Sequence, residues 1–130
     1  MSNDRILRIG IAPLEAIKRR TQDIASGNRR HKSDEPRVWF TSLDALARVL
    51  SRQNMLLIEI IRHSHPESVT ELADRVGRAK SNVLRSLKTL EEFDIVTFEN
   101  GRGGRKAPRM MYDDFRVDGY LGLSQNNKAA

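Results

Sequence analysis

The stretch from Val69 to Pro108 constrains the fold more than any other part of the chain. After Val69 it reads TELADRVGRAKSNVLRSLKTLEEFDIVTFENGRGGRKAP. Thr70 stands as an N-cap candidate for a short helix ending at Val76, with Leu72, Ala73 and Val76 on its inner face. Gly77 ends that helix, because glycine readily takes the left-handed conformation of a tight turn. Lys80 or Ser81 opens a second helix running to about Phe93. Its Val83, Leu87 and Leu90, spaced i, i+4, i+7, form a buried stripe. Ile95 to Glu99 reads as a strand, Asn100 to Gly104 as a turn, and Lys106 to Tyr112 as a returning strand.

Helix, tight turn, helix and hairpin, in that order, predict an α+β fold of the winged helix-turn-helix kind, and the rest of the chain is fitted around it. Arg5 to Ile11 reads as a strand, with Leu7, Ile9 and Ile11 alternating against Arg8 and Gly10. Pro13 ends it. Leu14 to about Ala25 reads as a helix with Leu14, Ile17, Thr21 and Ile24 on one face, and Lys18, Arg19 and Arg20 facing outward. Two such elements rarely bury a core alone, so residues 1–37 are expected to form an N-terminal strand–helix extension and linker. The linker SGNRRHKSDEPR carries the basic cluster Arg29, Arg30 and Lys32, and Val38, Trp39 and Phe40 follow as an apolar anchor. Trp39 and Phe40 are expected to lock the linker in place rather than to stack bases.

Thr41 or Ser42 is expected to cap a helix from Leu43, with Leu43, Leu46, Ala47 and Leu50 on one face. The segment Gln53–His63 holds Met55, Leu56, Ile58, Ile60 and Ile61 and is expected to be the central core helix. Phe115, Val117 and Tyr120 extend a last strand, giving a DNA-binding domain over residues 38–122. The polar tail, residues 123–130, is expected to be disordered.

Composition narrows the partners. A net charge of +6 favours a polyanion. With no cysteine, disulfides, thiolate zinc sites and Cys nucleophiles are excluded. No apolar run approaches the roughly 20 residues that span a bilayer, and the start of the sequence has too short an apolar run for a secretory signal. The expectation is a cytoplasmic protein that does not act at a membrane. His63 and His65 are better explained as cations at a helix C-terminus than as metal ligands, so no metal or cofactor is expected. No nucleophile-elbow or other catalytic motif organises the Ser, His and Asp residues, so the chain is not expected to be an enzyme.

A helix that reads DNA needs one face packed on its domain and one face of donors and acceptors, to enter a groove about 12 Å wide. The face opposite Val83, Leu87 and Leu90 offers Lys80, Ser81, Asn82, Arg85, Ser86, Lys88 and Thr89. Asn82 and Arg85 are assigned to bases: Asn suits adenine, and Arg suits the O6/N7 edge of guanine. Ser81, Ser86, Lys88 and Thr89 are assigned to phosphates, which position rather than specify. In the hairpin NGRGGRK, Gly101, Gly103 and Gly104 permit a tight turn, with Arg102, Arg105 and Lys106 at or near its tip. Arginine on such a tip suits a narrow minor groove. A nucleotide-binding loop is disfavoured, since GRGG lies between strands and no GxxxxGK[ST] is present.

The segment from Thr70 to Pro108 resembles the DNA-binding region of MarR-type and ArsR-type winged-helix regulators. The marks are the ELA helix, the V-x-R-x-L-x-x-L-E run from Val83 to Glu91, and the strand pair after Phe93. The whole chain, from the Ile6–Ile11 strand through VWF to the YDDFRVD ending, is similar to short predicted prokaryotic regulators of the antitoxin type. The resemblance implies a small toxin protein as a partner. It stops short of ligand or metal sensing: the long C-terminal helix of MarR-type proteins and the cysteines of ArsR-type sensors are missing. The function expected is that of a sequence-specific double-stranded DNA-binding regulator, a homodimeric repressor of its own operon. The alternative is an antitoxin that neutralises a toxin through residues 5–25. Those residues could pair with a second protomer, with a toxin, or with the domain's own sheet.

Overall fold

The computed structural model describes residues 5–28, 30 and 35–119. Arg29, Lys32, Tyr120 and the tail assigned to disorder lie outside the described residues. The chain mixes α and β elements and divides into two compact units, one of residues 1–47 and 114–130, the other of residues 48–113. The expected boundary after Arg37 is therefore replaced by two crossings, one after Ala47 and one after Asp113.

The sheet unit is built on β1 (Ile6–Ile11), α1 (Leu14–Ala25), β2 (Val38–Phe40) and β5 (Asp114–Gly119), with the strands in the order β2-β1-β5. β1 pairs parallel with both neighbours, Gly10 facing Trp39 and Ile9 facing Val117. Leu7, Ile9 and Ile11 alternate onto one face of this central strand, and all three are buried. The strand over Phe115 and Val117 thus belongs to this sheet, not to the hairpin that precedes it. β1 is no appendage with free edges either, since both its edges are paired.

Packing in this unit corrects the reading of α1. Arg20, expected to face outward, is buried: its guanidinium lies 5.4 Å over the Trp39 ring and pairs with Glu35. Arg20 sits between Ile17 and Ile24 on the inner face, whereas Leu14 is half exposed and Thr21 exposed. The long side chain buries its stem while its charge is met by an aromatic face and a carboxylate. Gly10 makes this possible. A Cβ there would lie 2.5 Å from two Trp39 ring atoms and 2.9 Å from Pro36 Cβ.

The helix α2 (Leu43–Val49) carries the change from one unit to the other. Ser42 caps it, its Oγ accepting from the Ala45 backbone N–H at 3.0 Å. Leu43, expected to face inward, is 53% exposed. It is the first helical residue, where no preceding turn covers it.

The second unit holds α3 (Arg52–Ser64), α4 (Val69–Val76), α5 (Lys80–Glu92) and an antiparallel hairpin of β3 (Val96–Asn100) and β4 (Lys106–Met110). Its core draws on Leu57, Ile58 and Ile61 of α3, Leu72 and Ala73 of α4, Val83, Leu87 and Leu90 of α5, and Ile95, Val96 and Ala107. In α3 the apolar run is wider than the buried stripe, and Leu56 points to solvent. Asn54 is buried near the start of α3, where its side-chain amide donates to the Val49 carbonyl at 2.9 Å. His63 pairs with Glu59, and His65 closes α3 in the left-handed conformation. No helix among the described residues is long and apolar enough to cross a membrane, and no cluster of three His, Asp or Glu is placed to hold a metal ion.

Candidate nucleic-acid interface

α4 begins one residue earlier than expected, and the cap is Ser68 instead of Thr70. The Ser68 Oγ accepts from the Glu71 backbone N–H at 3.0 Å. Thr70 is left exposed at the start of the helix. Gly77 closes α4 with φ 70°, and Gly77 and Arg78 both donate their backbone N–H to the Ala73 carbonyl. The chain reverses through Arg78 and Ala79 into α5.

α5 divides as its spacing predicts. Val83, Leu87 and Leu90 have no exposed surface, while Lys80, Ser81, Asn82, Arg85 and Lys88 are exposed. Two of the expected phosphate contacts have other work. Ser86 is half-buried, and its Oγ accepts from Arg78 Nη2 at 3.3 Å. Thr89 donates its hydroxyl to the Arg85 carbonyl at 3.2 Å, one turn back on the same helix. Arg78, which carries no pattern in the sequence, thereby ties the turn to the middle of α5. Its Nη1 is buried without a hydrogen-bond partner among the described residues.

The hairpin keeps its register from Val96 facing Met110 to Asn100 facing Lys106, so β4 ends two residues before the Tyr112 expected. A short 3-10 turn over Arg102–Gly104 forms the tip, with Gly103 at φ 68° and Gly104 at φ 76°. Arg102, Arg105 and Lys106 are all exposed there. The base of the hairpin is fixed by Arg109, also unassigned by sequence reasoning. Its guanidinium donates to Glu99 (3.0 Å), to the Pro66 carbonyl (2.6 Å) and to Glu67 (3.1 Å), joining β3, β4 and the loop before α4. Gly101 packs against that same loop, where a Cβ would meet the Glu67 carbonyl at 2.4 Å. Only the distribution of acids around it, Glu67 and Glu99, could have hinted that Arg109 is structural.

These supports bring distant residues together. Lys80 of α5 and Arg105 and Lys106 of the hairpin line one open groove of about 430 Å³ with Ser68, Val69, Thr70 and Leu84. A neighbouring hollow of about 310 Å³ adds Arg102, facing Glu67, Glu71 and Asp74. Glu67 is held by Arg109 and Glu71 lies 3.6 Å from Arg75. By contrast, Lys80, Arg85, Lys88, Arg102, Arg105 and Lys106 have no ion-pair partner among the described residues. Positive charge is thus concentrated along the start of α5 and the hairpin.

The family model described as HVO_A0114 matches residues 49–117, just over half of the chain. The chain belongs to the HVO_A0114 family. The matched segment takes in α3, α4, α5, the hairpin and most of β5, and so every residue of the groove. No curated protein and no solved structure matches the sequence.

Proposed function

We propose that residues 48–113 form a winged helix-turn-helix and that the chain binds double-stranded DNA as a transcriptional regulator, repressing its own operon. The observation that carries this reading is the set of unpaired cations that α5 and the hairpin share around one groove. Cations left without partners on a rigid surface suit a polyanion, whose phosphates supply the missing charge. α5 enters the major groove, where Asn82 and Arg85 reach base edges from its first two turns. Lys80, Ser81 and Lys88 meet flanking phosphates. The tip with Arg102, Arg105 and Lys106 reaches the adjoining backbone or minor groove. Ser86 and Thr89 serve through Arg78 and the α5 backbone rather than as primary phosphate contacts. A homodimer would read two half-sites about 10 base pairs apart, or a multiple of that spacing.

The test is fluorescence anisotropy of the full chain on the DNA upstream of its own gene, against a scrambled duplex, over a range of salt. The reading predicts a preference of about a hundredfold or more for the upstream DNA, with affinity falling steeply as salt rises. Equal, weak binding to both duplexes overturns it.

A further inference from the structure

β5 pairs with β1 along one side, and no described strand pairs along the other. Its outer residues are open to water: Arg116, Asp118 and Gly119 are exposed, and Val117 keeps 49% of its surface. Among the described residues, Arg116 has only a 4.0 Å contact with Asp114 on its own strand. An exposed edge with an apolar β-branched residue at its centre is a template for another strand. The opposite edge of the sheet, β2, spans only Val38–Phe40 and offers far less.

Charge decides what fits. Two copies of one strand that meet along the same edge run antiparallel about a two-fold axis. Backbone groups alternate in direction along a strand, so two facing residues must match, both pointing across the junction or both away from it. The axis must therefore pass where one residue faces its own copy. Centred on Arg116, the register sets Arg116 on Arg116 and Asp114 on Asp118. Centred on Asp118, it sets Asp118 on Asp118. Both place like charges directly opposite, which is destabilising. Centred on Phe115, it runs off the start of the strand at Asp114. Centred on Val117, it covers the exposed valine with its own copy and keeps Phe115 to Gly119 paired. It also sets Arg116 opposite Asp118 on both sides of the axis.

We propose that the chain forms a two-fold dimer through the outer edge of β5, with Val117 facing Val117 and Arg116 facing Asp118 of the second copy. One parallel-stranded sheet then continues into its mate through a single antiparallel junction. This interface does not depend on the DNA-binding reading, and its test uses no DNA.

The test is sedimentation equilibrium of the full chain: wild type, R116D, D118R, and an equimolar mixture of the two variants. The wild type is expected to be dimeric. Each single variant creates two facing like-charge pairs and should dimerise about tenfold or more weakly. Unchanged circular dichroism and Trp39 fluorescence confirm folding at these exposed positions. The mixture should regain wild-type affinity as a heterodimer, because one chain then brings two acids and the other two arginines to the facing positions. A wild type that stays monomeric overturns the proposal. So do single variants that dimerise as tightly as wild type, or a mixture that regains nothing.

Discussion

The two units use arginine in opposite ways. In the sheet unit Arg20 is folded inward, over Trp39 and against Glu35. In the helical unit Arg85, Arg102 and Arg105 are exposed and form no ion pair among the described residues. Arg20 is costly to desolvate and is tolerated because an aromatic face and a carboxylate receive it. The exposed cations cost nothing to desolvate, but they repel one another, which disfavours the compact state unless a counter-charge arrives. The difference teaches that charge taken inside serves architecture, while charge left outside and unpaired stays available to a counter-charge. Arg109 sharpens the contrast, because it stands on the hairpin that carries Arg105 and Lys106 yet is 17% exposed and bound to four acceptors.

Removing Arg109 should have the largest effect. Arg109→Ala strips donors from the Pro66 carbonyl, Glu67 and Glu99 together, and charged hydrogen bonds in such a setting contribute about 1.5–3 kcal/mol each at most. Glu67 and Glu99 are themselves half exposed, so solvent recovers much of the loss. The expected net cost is about 3 kcal/mol, read from the midpoint of urea unfolding followed by far-ultraviolet circular dichroism. A variant as stable as wild type would place Arg109 with the free cations.

Gly10→Ala strikes the other unit. Its Cβ meets the Trp39 ring at 2.5 Å, and the ring cannot retreat freely because Arg20 lies over it. Overpacking of this kind costs about 2 kcal/mol. Trp39 is the chain's one tryptophan, so its fluorescence reports the sheet unit selectively. The expected outcome is an early fluorescence transition, with the circular dichroism transition of the helical unit less affected. Coincident shifts of both signals would show that the two units unfold as one.

The sequence makes the second unit legible because its signals are local. Helical spacing at Val83, Leu87 and Leu90, a glycine at 77 and a glycine-rich tip fix element, turn and hairpin within a few residues of each other. The exposed candidates on α5 follow from the same spacing. The sheet unit is hidden because its pairings are long-range. Nothing near Ile9 announces that Val38 and Val117 will flank it, and parallel pairing leaves no turn signature between partners. Ser68, Arg78 and Arg109 escape for a related reason. Each acts through hydrogen bonds to groups whose positions only the folded chain sets, and Ser68 differs from Thr70 as a cap only by where the first turn begins.

The exposed arginines give smaller and more informative effects, and they separate two kinds of contact. Arg85→Ala should leave stability within about 0.5 kcal/mol of wild type, because its exposed side chain has no hydrogen-bond or ion-pair partner among the described residues. Binding to the upstream DNA should fall roughly tenfold, about 1.4 kcal/mol, with little change on scrambled DNA. Equal losses on both would assign Arg85 to phosphate instead of base.

Arg102→Ala carries the smallest expected change and the cleanest one. The side chain stands at the hairpin tip beside Glu67, Glu71 and Asp74, yet pairs with none of them. Among the described residues it is exposed and forms no ion pair that folding would miss. If it meets a phosphate, its loss weakens all duplexes alike, because phosphates carry no sequence. The slope of log affinity against log salt should then flatten by about 0.9, the share of one neutralised phosphate. Anisotropy titrations at four or more salt concentrations measure that slope directly. An unchanged slope would mean that the nearby acids, not DNA, set the role of Arg102, and the line between inward and outward arginines would have to be redrawn to include the hairpin tip.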